Sequence, residues 1–404
     1  MKTKRLMLAA IAAIGLALPS AAETYILDKA QRYDTVAGHG YDLVDAPVYY
    51  SVKVPDGRYR VTFEIGSPKK AAETTVRAES RRLLVENLAT RKGETVRKSF
   101  VVDKRSPYID AETSVRLKPR EKGKLDWDDR LTFEIGGENP AVRSITVEPA
   151  EDVTTVYLCG NSTVVDQEEE PWASWGQMVT RFFDDKVAVA NYAESGESAN
   201  TFIAARRLKR ALRDARKGDW MFVEFGHNDQ KQKGPGKGAW YSYLTSLKTF
   251  IDEARLKGVN IVLVTPTRRR VFDEYGRSVN THEEFPDAMR WIAEKENVPL
   301  IELNGMTARL YQALGTEGSK CAFVHYPMGS FPGQEKALED NTHFNPYGAY
   351  QIAKCVIEGM RTASPALFEH IVDFTEYNPS EPDDPAAFKW VPAPAVGLVK
   401  PDGN

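Results

Sequence analysis

Apolar and polar residues alternate in short runs between residues 24 and 150, which is the pattern of half-buried β-strands. The alternation is clearest in five runs: 48–54, 59–65, 99–102, 131–135 and 144–147. Turn-forming residues separate the runs, as in the segment 136–140, which reads Gly-Gly-Glu-Asn-Pro. This pattern predicts an all-β sandwich, or jelly roll, over residues 23–150.

From residue 152 the pattern changes to short apolar runs that alternate with longer amphipathic segments. It predicts strands that start at 154, 187, 220 and 260, and helices over 174–183, 199–216, 241–256 and 284–296. A last helix is predicted from Pro346, with Asn345 as its N-cap. Alternating strands and helices predict an α/β domain over 151–375, with a parallel sheet covered on both faces. Residues 376–404 are rich in proline, and we expect an extended tail on the surface.

The first 22 residues have the features of a signal peptide. Lys2, Lys4 and Arg5 precede an apolar run over 6–18, and small residues follow at 20–22. The run is short for a membrane span, although an uncleaved anchor is the alternative. We therefore expect an exported protein, periplasmic or secreted, with no membrane span after cleavage.

Composition limits the remaining possibilities. The 404 residues include 54 Lys and Arg against 57 Asp and Glu, a net charge of -3, and this balance gives no indication of nucleic-acid binding. Export would permit a disulfide between Cys321 and Cys355, but the sequence leaves this pairing open. Cys159 lies in a predicted buried strand, where a cysteine is usually a small core residue.

Candidate chemistry collects where the predicted strands end. The first strand breaks at Gly160-Asn161-Ser162, Gly196 follows the second, and the third ends in Gly226-His227-Asn228-Asp229. Asp340 stands three residues before His343, on what we expect to be a turn entering the last helix. A hydroxyl nucleophile needs a base to remove its proton and a carboxylate to orient that base. A helix-capping arrangement is the alternative interpretation of the Asp340 and His343 pair.

These four blocks, in this order, resemble those of the SGNH (GDSL-type) hydrolases, and most closely those of the rhamnogalacturonan acetylesterases. The resemblance covers about 154–375, and the segments 192–199 and 340–345 support the narrower match. It implies a parallel-sheet, three-layer hydrolase domain in which Ser162 is the nucleophile, His343 the base and Asp340 its orienting carboxylate. One departure is Asn161, which stands where the family usually has aspartate, so the local hydrogen bonds of this loop are uncertain.

The same resemblance implies an oxyanion hole made of the backbone N–H groups of Ser162 and Gly196 and the side-chain amide of Asn228. Such donors stabilise the charge that develops on the ester oxygen. The inferred mechanism requires no metal and no cofactor. Residues 23–150 resemble galactose-binding-like modules in pattern only, and sugar binding and a purely structural role are both open.

Substrate contacts are predicted from the rim of the site. Candidates for stacking or binding a sugar are Trp172, Trp175, His227 and Trp240, with buried packing as the alternative for the aromatic residues. Arg268, Arg269 and Arg270 directly follow the strand that starts at 260, and three cations there suit a polyanion. The alternative is an ordinary solvated charge run.

We therefore expect a carbohydrate O-acetylesterase that removes acetyl groups from pectic rhamnogalacturonan through an acyl-Ser162 intermediate. The expected partner is an acetylated pectic polysaccharide or oligosaccharide, and no nucleic acid. Two alternatives remain: an esterase of the same fold on another ester, such as a xylan acetylesterase or a lipase or thioesterase, and a non-catalytic carbohydrate-binding protein.

Overall fold

The computed structural model describes residues 21–402, where the chain forms sixteen β-strands and eight α-helices. All but the last two residues of the predicted signal peptide lie outside the described residues. The strands are β1 Glu23–Ile26, β2 His39–Asp42, β3 Tyr49–Lys53, β4 Gly57–Ile65, β5 Ala72–Ala78, β6 Arg82–Thr90, β7 Val96–Lys104, β8 Arg130–Gly136, β9 Val142–Pro149, β10 Thr154–Gly160, β11 Val187–Asn191, β12 Trp220–Glu224, β13 Asn260–Val264, β14 Leu300–Ile301, β15 Phe323–Tyr326 and β16 Leu338–Phe344. The helices are α1 Trp175–Met178, α2 Ala199–Ala204, α3 Arg207–Asp214, α4 Leu244–Leu256, α5 Phe285–Glu296, α6 Leu303–Leu314, α7 Pro346–Ala363 and α8 Pro365–Phe368.

One nine-stranded sheet extends through both halves of the molecule, in the order β1-β9-β4-β7-β11-β10-β12-β13-β14. Its C-terminal part, β11 and β10 with β12 to β14, is parallel, as predicted from the strand–helix alternation. Its N-terminal part is antiparallel, and the two parts join where β7 pairs with β11. The N-terminal strands therefore continue the sheet that carries the candidate site.

A second sheet of five strands, β2-β3-β8-β5-β6, shares a core with the antiparallel part of the first. The rings of Phe63 on β4 and Phe133 on β8 meet across this core, with centroids 5.3 Å apart. All five strands predicted from alternation before residue 150 are confirmed. The pattern missed β1, β2, β5 and β6. In β5, buried polar residues such as Thr74 and Arg77 interrupt the apolar alternation.

The parallel part of the large sheet is buried on both faces, as predicted. On β10, Val156 and Leu158 face a core formed with α1, α6 and α7, while Tyr157 and Cys159 face a core formed with α2 to α5. The single helix predicted over 199–216 is wrong, because the chain breaks at Arg206 (φ 65°) into α2 and α3. The pattern also missed β14, β15, β16, α6 and α8.

Three smaller features complete the comparison with the sequence. Asn345 caps α7 as predicted, since its side chain accepts a hydrogen bond from the Gly348 N–H. All three cysteines are unpaired, so no disulfide joins Cys321 to Cys355. Within residues 21–402, no helix combines the length and the apolar character needed to cross a membrane.

The proline-rich C-terminal region is extended, but it is more firmly packed than a free tail. Trp390 donates a hydrogen bond from Nε1 to Glu170 Oε1 (2.8 Å), and the Arg77 guanidinium lies 4.3 Å from the Trp390 ring centroid. Phe388 stacks on Trp390, and Tyr377 is buried. This region therefore contacts the five-stranded sheet, at Arg77, and the loop that carries Glu170 before it reaches the candidate site.

Candidate active site

The turn after β10 presents Ser162 at the carboxyl end of the sheet. Gly160 permits this turn, because a Cβ atom there would lie 2.5 Å from Val164 Cγ2. Asn161 Oδ1 accepts a hydrogen bond from the Thr163 backbone N–H (3.0 Å) and lies 3.0 Å from the Thr163 hydroxyl oxygen. An aspartate at this position would supply the same acceptor, whereas Asn161 Nδ2 is buried without an acceptor.

Ser162, His343 and Asp340 form a continuous hydrogen-bonded chain. His343 Nε2 lies 2.9 Å from Ser162 Oγ, and His343 Nδ1 lies 2.8 Å from Asp340 Oδ2. Because the carboxylate only accepts, Nδ1 carries the ring proton and Nε2 is left to accept from the serine hydroxyl. This is the arrangement that activates a hydroxyl nucleophile.

Asp340 and His343 lie on strand β16 and not on the predicted turn. Asp340 Oδ1 accepts hydrogen bonds from the backbone N–H groups of Thr342 (2.7 Å) and His343 (3.0 Å). Burial by itself raises the pKa of Asp340, but these bonds and the His343 side chain outweigh it and lower the pKa to about 2. The carboxylate therefore stays ionised and holds the imidazole in one tautomer.

The segment 226–229, which follows β12, is held in place by hydrogen bonds of its own side chains. Asn228 Nδ2 donates to Glu197 O (2.9 Å), and Asn228 Oδ1 accepts from Lys231 Nζ (3.2 Å). Asp229 accepts from the backbone N–H groups of Ala199 (2.9 Å) and Gly226 (3.0 Å). The Asn228 amide is thus fixed, and its second N–H hydrogen is left for another acceptor.

Glu224, at the end of β12, is a site residue that the sequence analysis missed. It is fully buried and accepts hydrogen bonds from Thr163 Oγ1 (2.9 Å), Trp175 Nε1 (2.5 Å) and the Thr267 N–H (3.3 Å). Burial raises the pKa of its carboxyl to about 7, against the lowering effect of these bonds. The sequence could have pointed to Glu224, because it is the one charged residue at the end of the otherwise apolar strand β12.

Three of the predicted sugar contacts are buried, which corrects the sequence interpretation. Trp175 is 1% exposed and packs beneath the site, so it has no face left for a sugar. Trp172 is 4% exposed, and its ring meets the His343 ring edge-on at 5.8 Å. His227 is 1% exposed and packs against His282, and burial holds its pKa well below the ordinary value.

Trp240 is the predicted aromatic contact that remains accessible. It is 41% exposed, lies on the helical turn Ala239–Tyr243, and packs edge-on against Trp291 with ring centroids 6.3 Å apart. Its stacking on a sugar ring stays a prediction.

The three consecutive arginines do not form one cationic surface, because each guanidinium contacts different neighbours. Arg268 donates to Ser278 O and Asn304 Oδ1, Arg269 to Thr281 Oγ1 and His227 O, and Arg270 to Ser319 Oγ and Asn341 Oδ1. All three side chains are only partly exposed. The three side chains are adjacent in sequence but point in different directions, because each one hydrogen-bonds to a different set of neighbouring residues.

Cations from the N-terminal region hold the loop that carries Gly196. Arg120 donates to Glu194 Oε1 (2.5 Å) and Ser195 O (2.6 Å), and Lys118 Nζ donates to Ser195 O (2.5 Å). Sequence reasoning missed both cations, because their partners lie about 75 residues further along the chain. Within residues 21–402, no group of three or more His, Cys, Asp or Glu side chains is arranged to hold a metal ion.

Comparisons with known proteins identify the family of the chain. Residues 144–349 match the model of the GDSL-like Lipase/Acylhydrolase family. The chain is 41% identical over 219 residues to rhamnogalacturonan acetylesterase RhgT of Bacillus subtilis (strain 168), an alignment that covers 54% of this chain and 94% of RhgT. It is 31% identical to the probable rhamnogalacturonan acetylesterase YesY of the same organism, over 54% of this chain and 97% of YesY. The crystal structure of Bacillus subtilis YxiM covers 84% of this chain and 87% of its own, at 20% identity and a TM-score of 0.48.

Proposed function

Since the chain belongs to the GDSL-like lipase/acylhydrolase family and is a serine esterase of the acetylesterase type, we propose that it deacetylates pectic rhamnogalacturonan. The observation that carries the mechanism is the hydrogen-bonded chain from Ser162 through His343 to Asp340, at 2.9 and 2.8 Å. The substrate is supported by the similarity to two proteins whose names state the same activity.

In the proposed mechanism, Ser162 Oγ attacks the acetyl carbonyl while His343 Nε2 takes the hydroxyl proton. The N–H groups of Ser162 and Gly196 and the Asn228 amide stabilise the negative charge on the carbonyl oxygen. His343 then returns the proton to the sugar oxygen, which leaves as the free hydroxyl. Water, deprotonated by His343, then attacks the carbonyl of acetyl-Ser162, and acetate leaves as His343 returns the proton to Ser162 Oγ.

Two further parts of the sequence interpretation belong to this proposal. The signal-peptide pattern over 1–22 supports an exported enzyme, in the periplasm or outside the cell, where pectic polymers are met. Residues 23–150 would form a β-sandwich domain, either for sugar binding or for support of the site. The contacts from Lys118 and Arg120 to the Gly196 loop favour support.

Replacement of the nucleophile or the base tests the mechanism. We expect Ser162→Ala and His343→Ala to lose at least about three orders of magnitude in kcat on p-nitrophenyl acetate, because triad members act as a unit. Ser330→Ala, on an exposed loop, is the control and should keep wild-type activity. Near-normal turnover by either folded variant would refute the assignment.

Acetate release from a panel of polymers tests the substrate. The wild-type enzyme should release acetate from acetylated rhamnogalacturonan with a higher kcat/KM than from acetylated xylan. A preference for xylan, or for esters of long acyl chains, would favour the alternative esterase functions.

A further inference from the structure

The C-terminal segment 390–402 forms one wall of the candidate site. The backbone of Glu170 exchanges hydrogen bonds with this segment, donating to Ala395 O (2.9 Å) and accepting from the Gly397 N–H (2.8 Å). Trp172 Nε1 donates to Gly397 O (2.8 Å). Because Trp172 packs on His343, the segment is coupled to the catalytic base through one side chain.

The end of this segment lies over the reacting groups. Lys400 Nζ is 3.4 Å from Asp340 Oδ2, and Asp402 Cβ is 3.0 Å from the point where a Cβ atom of Gly196 would stand. Ser162 is 2% exposed and His343 is 1% exposed. We call this conformation closed, because the nucleophile and the base are buried and the end of the segment lies against Asp340 and Gly196.

Arg120 fastens the segment through Asp402 while it also holds the Gly196 loop. One edge of its guanidinium binds Glu194, whose side chain is 2% exposed, and Nη1 binds Asp402, whose side chain is 63% exposed. The pair with Glu194 is thus a buried structural contact. The pair with Asp402 is open to solvent, where an ion pair contributes little and exchanges readily.

The place that Asp402 fills is a carboxylate site beside the proposed oxyanion hole. Arg120 presents N–H donors there, and Lys118 Nζ stands 3.2 Å from the position of a Gly196 Cβ atom. Nη1 is the guanidinium nitrogen left for this carboxylate, because Nε and Nη2 of Arg120 already donate to Glu194 and Ser195. A hydrogen bond from Nη1 to a carboxylate is charge-assisted. A uronic-acid residue carries the same group, on a ring adjoining or identical to the acetylated one.

We propose that Arg120 binds a uronate carboxylate of the substrate, and that Asp402 occupies this subsite in the closed form. The proposal rests on the proposed esterase function and deepens it. Arg120 lies outside residues 144–349, so this subsite is supplied by the N-terminal region and not by the part that matches the family model. The uronate of the substrate and Asp402 compete for the Arg120 guanidinium. When the uronate displaces Asp402, it releases the end of the C-terminal segment and binds the polymer at the same place.

A matched pair of substrates tests the subsite. Acetylated oligogalacturonate and its fully methyl-esterified form share the acetyl group and the sugar ring, and differ in the carboxylate charge. We expect Arg120→Gln to lower the ratio of kcat/KM for the acid to that for the methyl ester by about tenfold, as for a lost charge-assisted hydrogen bond. Arg120→Lys should recover part of the ratio, and added salt should lower it in the wild type.

Asp402→Asn should raise activity, whereas Arg120→Gln should lower it on the acid. Removal of the competing carboxylate should raise kcat/KM on both substrates by about two- to fivefold, the size of an exposed ion pair, and should preserve the preference for the acid. The charge-matched controls are Lys389→Gln and Asp384→Asn, which are exposed in the same C-terminal region and should match the wild type.

A binding measurement separates this proposal from the proposed function. In a Ser162→Ala background, calorimetry with unacetylated oligogalacturonate should show binding that weakens on Arg120→Gln and tightens on Asp402→Asn. If Arg120→Gln changes neither the ratio of kcat/KM for the acid to that for the methyl ester nor the binding of oligogalacturonate, the subsite is refuted. Equal losses of kcat/KM on both substrates would also refute it, because they would mean that Arg120 only holds Glu194 in place. No effect of Asp402→Asn would overturn the competition. Wild-type failure to deacetylate any galacturonate, with oligogalacturonate still bound, would instead overturn the proposed function.

Discussion

Asn161 and Glu224 share one hydroxyl group directly beneath the nucleophile turn. Thr163 Oγ1 lies 3.0 Å from Asn161 Oδ1 and 2.9 Å from Glu224 Oε1. An aspartate at 161 would place a second carboxyl on the same hydroxyl, and two buried carboxylates so close repel each other. A neutral amide at 161 is therefore compatible with the buried acid at 224.

The raised pKa of Glu224 predicts a pH-dependent loss of stability. Its folded-state pKa of about 7 lies above the ordinary value of 4.5, so between these pH values the folded protein binds more protons than the unfolded chain. Stability is then lost as the pH rises through this window, by about 3 kcal/mol in total for this group. Glu224→Gln cannot titrate, so the unfolding free energy of the wild type should fall relative to this variant between pH 4.5 and pH 7.

Urea unfolding of both proteins from pH 4 to pH 8 measures this difference. The variant's lower stability at pH 4 reports the changed hydrogen bonds, and only the slope of the difference reports the titration. Glu253→Gln, on the exposed face of α4, is the control for the same substitution outside the core. A flat curve for Glu224→Gln would show that Glu224 has no raised pKa.

Helices α6 and α7 begin in the same way but have different surroundings. In each, a glycine at the third helical position donates its N–H to the N-cap side chain: Gly305 to Glu302 Oε1 (3.2 Å) and Gly348 to Asn345 Oδ1 (3.0 Å). Helix α7 directly follows strand β16, which carries His343. Its first turn packs so closely that a Cβ atom on Gly348 would lie 1.8 Å from Ala322 O.

The same substitution should therefore have opposite effects in the two helices. Gly305→Ala meets only ordinary contacts, at 3.5 Å or more, and should stabilise the protein by up to about 1 kcal/mol through helix propensity. Gly348→Ala collides with a backbone oxygen and should destabilise it by about 2 kcal/mol or more. Thermal unfolding of the two variants measures both effects. Stabilisation by Gly348→Ala would mean that α7 can move away from residue 322 at little cost.

Over the whole molecule, the N-terminal strands and the hydrolase fold share a sheet and a buried charged interface. Arg207 and Glu121 pair across this interface with both side chains 0% exposed, and Arg82 pairs with Asp126 and Asp166. Removal of one partner of such a pair leaves a buried charge without compensation, which costs about 3–5 kcal/mol. Each region therefore supplies ion-pair partners for buried charged side chains of the other.

We expect the two regions to unfold as one cooperative unit. The division near residue 150, which remains a prediction, marks a change of pattern and does not interrupt the nine-stranded sheet. Urea unfolding followed by far-ultraviolet circular dichroism and by tryptophan fluorescence should give coincident transitions. Two separated transitions would contradict this expectation and would support independent domains divided at that residue.

Local sequence pattern determined most of the elements and the chemical groups of the site. The period of apolar residues predicted the strands on both sides of residue 150 and the two-sided burial of the parallel sheet. The blocks at 160–162 and 340–343 identified Ser162, Asp340 and His343, which meet in the structure. These inferences succeed because burial of a face and the breaking of a strand depend on residues only a few positions apart.

Only the tertiary structure decided which distant residues meet. It joined β7 to β11, turned the three arginines towards different loops, and buried Trp172 and Trp175. It also brought together Arg120 and Asp402, which are 282 positions apart, as an ion pair beside the Gly196 loop. The physical reason is that strand order, register and the path of an extended segment depend on contacts between remote surfaces, which side-chain periodicity does not encode.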